Sequence, residues 1–109
     1  MSTNAEYAGC LAALGHETRL AIYRLLTRAG DDGLNVGQIG AHLGQPPSTL
    51  AHHLAALVEC ELVVQERQGR QIINRVDFHV MRGTIAFLTD ECCAGFDTGQ
   101  GNAGEEDAA

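Results

Sequence analysis

Lysine is absent from the chain. Its seven basic residues are all arginine, against fourteen aspartates and glutamates, for a formal net charge of -7. That shortage excludes a broad basic surface that would hold nucleic acid by charge alone. Any affinity for DNA has to rest on a few placed contacts, repeated in two copies. No stretch approaches the roughly 18 consecutive apolar residues of a membrane-spanning helix, so no membrane partner is expected. Residues Met1 to Glu6 are polar, with no basic segment ahead of an apolar run. No secretory signal is therefore expected, and the cytoplasm is the expected compartment. Enzyme signatures are missing as well. There is no nucleophile elbow, no glycine-rich phosphate loop and no triad grouping, so neither catalysis nor an obligatory cofactor is expected.

Hydrophobic residues make up 45% of the 109-residue chain, enough for one modest core. The expected organisation is one domain over residues 1–94 and a disordered acidic tail over 95–109, where Gly, Asp, Glu and Ala dominate. Four of the acids, Asp97, Glu105, Glu106 and Asp107, lie in that tail, leaving ten against the seven arginines in the body. The four cysteines are Cys10, Cys60, Cys92 and Cys93. In a reducing compartment they read as free thiols, metal ligands or redox sensors.

Tyr7, Cys10, Leu11 and Leu14 recur at helical spacing and predict a short first helix closed by Gly15. Ile22, Leu25, Leu26 and Ala29 predict a second, ended by Gly30-Asp31-Asp32-Gly33. Asn35 is a good N-cap for a third helix that buries Val36, Ile39 and Leu43 and stops at Gly44. Pro46-Pro47 opens a fourth, with an apolar stripe of Leu50, Leu54, Leu57 and Val58. Its other face carries Ser48, Thr49, His52 and His53. Residues 62–67 and 71–76 read as the strands of a hairpin turning at Gln68-Gly69-Arg70. A fifth helix is predicted from about Asp77 to Cys93. It is apolar on more than one side, through Val80, Met81, Ile85, Phe87 and Leu88, which calls for a partner surface.

Two short helices joined by a tight glycine turn, the second with a polar face, describe a helix-turn-helix, and the hairpin adds a wing. The expected fold is mainly α with a small β-hairpin, a winged helix-turn-helix. Its fourth helix would enter the major groove of double-stranded operator DNA, N-terminal residues deepest. The candidate DNA-binding residues are Gln45, Ser48, Thr49, His52 and His53 at that helix, with Arg67 and Arg70 at the wing tip. Taken alone, the two histidines read as a polar surface pair and the arginines as a solvated hairpin; the winged-helix setting favours DNA.

The run from Ala13 to Ile22 (ALGHETRLAI) resembles the second-helix signature of the ArsR/SmtB family of metal-responsive repressors. The run from Pro47 to Leu54 (PSTLAHHL) resembles that family's recognition helix, and Glu61-Leu62-Val63 with Gly69-Arg70 resembles its wing. The resemblance spans residues 8–93. It departs at Pro46 and Ala51, where the family often has serine. It implies an inducer-released repressor, a homodimer through the first and last helices, and a sensor site.

That site has two candidate forms. Cys92 and Cys93 are adjacent soft ligands suited to trivalent arsenic or antimony. Arsenite or antimonite takes three thiolates, a monomethylated arsenical only two. Cys10 would be the third ligand, or else a small apolar residue in the packing; Cys60 reads as packing. The alternative resembles the family's zinc-type site, which would also serve cadmium. Its ligands would be Asp77, His79, Asp90 and Cys93, shared between antiparallel helices of two subunits because one helix cannot close it. Asp77 reads more simply as a helix cap. The Cys-x-Cys of one arsenic-type site has no counterpart at Leu34 to Ile39. Arg24 stands about where a persulfide sensor has a cysteine, so that redox pair is incomplete; a thiol redox sensor of the same fold is kept only as a further alternative. A winged helix serving only protein interaction is the rival from another class; the acid balance favours it slightly, and the polar face with two histidines opposes it.

Overall fold

The structure, a computed structural model, describes residues 3–96. Its elements are α1 (Asn4–Leu14), α2 (Glu17–Ala29), a single 3-10 turn (Gly30–Asp32), α3 (Val36–Leu43), α4 (Pro47–Glu59), β1 (Val63–Gln68), β2 (Gln71–Val76) and α5 (Phe78–Thr89). This is the winged helix-turn-helix order expected from the sequence. Of the acidic tail over 95–109, only Gly95 and Phe96 fall within the described residues.

Local chemistry sets most of the boundaries. Thr3 and Glu6 form a capping box on α1, and Asn35 and Gln38 form another on α3, each satisfying backbone N–H groups that helix geometry leaves unpaired. Pro46 is the N-cap of α4 and Pro47 its first residue, where a missing N–H costs nothing. The turn from α3 to α4 is tight because Gln45 N–H donates to the Gly40 carbonyl at 3.1 Å. A Cβ at residue 40 would stand 2.5 Å from the Gln45 carbonyl oxygen, so only glycine fits there.

The core lies where α2, α3 and α4 meet the base of the wing. Ile22, Leu26, Ile39, Leu50, Leu57 and Leu62 are fully buried there. Each such side chain contributes about 1.5–3 kcal/mol relative to leaving it in water. β1 and β2 pair antiparallel from Val63↔Val76 at the base to Gln68↔Gln71 at the tip. The connection is the dipeptide Gly69-Arg70, with Gly69 at φ 63° and Gln68 still in the strand, one residue shorter than expected.

The wing base carries an addition that the sequence pattern does not show. Leu34 pairs with Asn74 as an isolated antiparallel bridge, through N–H to carbonyl bonds of 3.0 and 2.8 Å. The Asn74 side chain is buried and bonded through both its nitrogen and its oxygen: its amide donates to the Leu34 carbonyl at 3.1 Å, and its oxygen accepts from Gln65 at 2.8 Å. The wing is thereby fixed to the segment that leads into α3.

The last helix departs from the sequence reading. It ends at Thr89, not Cys93. Asp90 is extended, at φ -58° and ψ 139°, and Glu91 and Cys93 take left-handed φ values of 62° and 65°. Cys92 and Cys93 therefore belong to a turn beyond the helix. Ile85 and Leu88 on α5 are 54% and 58% exposed and Leu11 on α1 is 40% exposed, an uncovered apolar strip along the first and last helices. Tyr7 and Phe87 stack with ring centroids 4.1 Å apart, which holds α1 against α5 within the protomer.

Candidate nucleic-acid interface and ligand site

The exposed face of α4 presents Ser48, Thr49, Ala51 and His52, with Gln45 half-buried in the turn before it. These residues crowd the N-terminal half of the helix, the part that in helix-turn-helix proteins generally reaches the base edges of a major groove about 12 Å wide. At the wing tip Arg67 and Arg70 are exposed. Between helix and wing runs a cleft of about 550 Å³ lined by Pro47, Ala51, Ala55, Gln65, Arg70 and Gln71, among others. Its width is set in part by an Asn35 to Gln71 side-chain hydrogen bond of 2.5 Å joining the start of α3 to the wing.

The two histidines of α4 part company. His52 is exposed, whereas His53 is half-buried and turned towards the start of α2. There Arg19 donates Nε–H to His53 Nδ1 at 3.0 Å, and the His16 ring lies 4.5 Å from the His53 ring. Burial first, then the neighbouring His16, Arg19 and His52, lower the His53 pKa below the usual histidine range. Neutral His53 is thus a seat for the recognition helix, and Arg19 is a residue that the sequence reading missed. Arg75, by contrast, is spent within the fold: it pairs with Glu66 at 2.5 Å and donates to the Asp31 carbonyl at 2.8 Å.

The cysteines fall into two pairs. Cys92 and Cys93 are exposed, and their sulfurs approach to 3.3 Å. The turn that brings them together is held by Cys92 N–H to the Thr89 carbonyl and Ala94 N–H to the Glu91 carbonyl, each 3.0 Å. Left-handed backbone at two non-glycine residues costs about 1–2 kcal/mol apiece. Cys10 stands elsewhere, with Cys60: Cys10 Sγ contacts the Cys60 carbonyl at 3.5 Å. Among the described residues no three His, Cys, Asp or Glu side chains are grouped to hold a metal ion within one protomer. Asp77 caps α5, its carboxylate accepting from His79 N–H at 3.0 Å. His79 is exposed one residue into the helix, and Asp90 stands just past the far end.

Known proteins share this arrangement. A family described as a helix-turn-helix domain matches residues 14–66. The HTH-type transcriptional regulator CmtR of Mycobacterium bovis is 34% identical over 101 residues, covering 85% of this chain and 83% of CmtR. The chain belongs to the ArsR/SmtB family of winged helix-turn-helix transcriptional regulators. Two solved structures of such regulators superpose on it. One is the homodimeric winged helix-turn-helix DNA-binding domain of Mb0332 from Mycobacterium bovis, a possible ArsR-family regulator. It is 28% identical with a TM-score of 0.65, over 80% of this chain and 81% of that one. The other is the AntR antimony-specific transcriptional repressor, 29% identical with a TM-score of 0.63, over 79% of each chain. Family membership makes the chain a DNA-binding transcriptional regulator. No helix among the described residues is long and apolar enough to cross a membrane.

Proposed function

We propose that the chain is a homodimeric repressor that leaves its operator when a trivalent arsenical or antimonial binds Cys92 and Cys93. The observation that carries this reading is the 3.3 Å approach of two exposed thiols just beyond the last helix. A trivalent arsenical carrying one methyl group and two hydroxyls needs only that pair. Two As–S bonds form, two As–O bonds break, each hydroxyl leaves as water with a thiol proton, and arsenic stays trivalent. Arsenite and antimonite would need a third thiolate, and Cys10 is turned to Cys60 instead. The reading therefore favours a two-thiolate ligand over arsenite.

The dimer is supported by the uncovered apolar strip of Leu11, Ile85 and Leu88, and by the homodimeric state of the Mb0332 domain. The DNA-contacting set is Gln45, Ser48, Thr49, His52, Arg67 and Arg70, with His53 holding the helix in place. The inducer lies at the end of the helix that carries the dimer face. Binding there releases DNA if it favours a dimer geometry whose two recognition helices no longer match the half-sites. AntR, similar to this chain, is an antimony-specific repressor, which agrees with a soft trivalent ligand. The zinc- or cadmium-type set of Asp77, His79, Asp90 and Cys93 is less favoured because Asp77 already serves as a cap.

The test is a mobility-shift titration of the reduced protein on DNA from upstream of its own gene. Methylarsenite, arsenite, antimonite, zinc and cadmium are compared. Release by methylarsenite at the lowest concentration supports the reading. Failure to shift the DNA without ligand would remove the repressor itself.

A further inference from the structure

Cys10 and Cys60 make a second dithiol, 50 residues apart in sequence and joined by the fold. Cys10 lies on α1, and Cys60 caps α4 where the chain turns into the wing. The contacts are reciprocal. Cys10 Sγ donates to the Cys60 carbonyl at 3.5 Å, and Cys60 Sγ donates to the Gly9 carbonyl at 3.6 Å. Both are free and only half-buried. Two inert packing cysteines need only apolar neighbours; each of these two reaches the backbone beside the other, across the joint between α1 and the recognition helix.

We propose that Cys10 and Cys60 are an oxidative modification site, closed by a peroxide into an intrachain disulfide that ties α1 to the C-terminal end of α4. Burial first, and then Cys10 beside it, push the Cys60 thiol up. Cys10 is the attacking sulfur. It loses its proton and attacks one peroxide oxygen, the O–O bond breaks, and Cys10 becomes a sulfenic acid as the other oxygen leaves as water. The Cys60 sulfur then attacks Cys10 Sγ. The S–O bond breaks, and hydroxide leaves with the Cys60 proton as a second water. In sum, two thiols lose two hydrogens and one hydrogen peroxide is reduced to two waters. The bond would join the helix of the proposed dimer face to the helix that reads DNA. It needs no ligand at Cys92 and Cys93 and stands or falls apart from the arsenical reading.

The experiment uses the full chain, reduced and then treated with one equivalent of hydrogen peroxide. The remaining thiols are alkylated, and the protein is cleaved after arginine. That cleavage puts Cys10, Cys60 and the Cys92–Cys93 pair in three different peptides. The expected product is a linked peptide joining the Cys10 and Cys60 segments, two hydrogens lighter than their sum. It is cut by dithiothreitol and absent from Cys10→Ser. Double Cys92→Ser, Cys93→Ser protein, which removes the competing exposed thiols, should give the same link. Recovery of Cys10 and Cys60 as alkylated or separately oxygenated thiols, with no linked peptide, would overturn the proposal. So would a link that joins either of them to Cys92 or Cys93 in preference.

Discussion

Arg19 and His53 are joined by a hydrogen bond of 3.0 Å from Nε–H to Nδ1, which ties the start of α2 to the middle of the recognition helix. The bond requires an unprotonated imidazole nitrogen, so the folded state favours neutral His53. Its folded pKa lies below the ordinary value of 6.5. The unfolded chain therefore binds the extra proton first as pH falls. The stabilisation from this contact is present above about pH 6.5 and disappears as pH drops through the lowered folded value. Urea midpoints measured at pH 7.5 and 5.5 should show a fall that is smaller in His53→Asn, whose amide oxygen accepts from Arg19 at either pH. An equal fall in both proteins would assign the pH dependence to other groups.

The recognition face and the wing tip should differ in how they fail. His52→Ala should weaken binding to the operator while leaving weak binding to unrelated DNA unchanged. Arg70→Ala should weaken binding to every sequence. It should also flatten the salt dependence by roughly two units of log-log slope, one for each phosphate that the two subunits no longer neutralise. Fluorescence anisotropy at several salt concentrations separates the two. Arg75→Ala should instead lower stability, because its guanidinium is occupied by Glu66 and the Asp31 carbonyl.

A charge placed in the apolar strip should split the proposed dimer. Leu88 is 58% exposed on the last helix and lies outside the protomer core. Leu88→Asp should give a folded monomer by sedimentation at micromolar concentration, with unchanged helical content and much weaker operator binding. A Leu88→Asp protein that remains dimeric would place the interface elsewhere.

Gly40 should tolerate no side chain. A methyl group there meets the Gln45 carbonyl at 2.5 Å, and that carbonyl cannot move without reopening the turn before Pro46. Gly40→Ala is expected to cost about 1–3 kcal/mol by urea denaturation, in line with overpacking elsewhere. Gly9→Ala, where nothing lies within 4 Å of the added methyl, is the control and should be neutral or slightly stabilising.

Much of the fold was legible because its punctuation is local. Asn35, Gly44, Pro46-Pro47 and Gly69 each act within a few residues, and they mark α3, α4 and the wing. The end of the last helix was not legible. Between Thr89 and Gly95 stand Asp90, Glu91, Cys92, Cys93 and Ala94, none of which forbids a helix, so the pattern runs on towards the next glycine. The site was legible only where one element carries it. His53 shares a helix and a chemistry with His52, yet its partner Arg19 is 34 residues away, and nothing in the spacing separates the two histidines. Cys10 reads as a third ligand for Cys92 and Cys93 if only the meeting of α1 and α5 is considered; its contact with Cys60 depends on how α1 crosses the end of α4. The buried bonds of Asn74 join a strand to a loop 40 residues earlier and leave no periodic trace.

Whether the thiol pair beyond the last helix is the switch is tested most directly by anisotropy of labelled operator DNA. The reduced protein, bound to that DNA, is titrated with methylarsenite and with zinc as wild type, Cys92→Ser and His79→Ala. Methylarsenite should release wild type and His79→Ala. Cys92→Ser should bind the operator as tightly as wild type and stay bound through the same titration. Release by zinc but by no trivalent arsenical or antimonial, abolished in His79→Ala and intact in Cys92→Ser, would contradict the thiol switch.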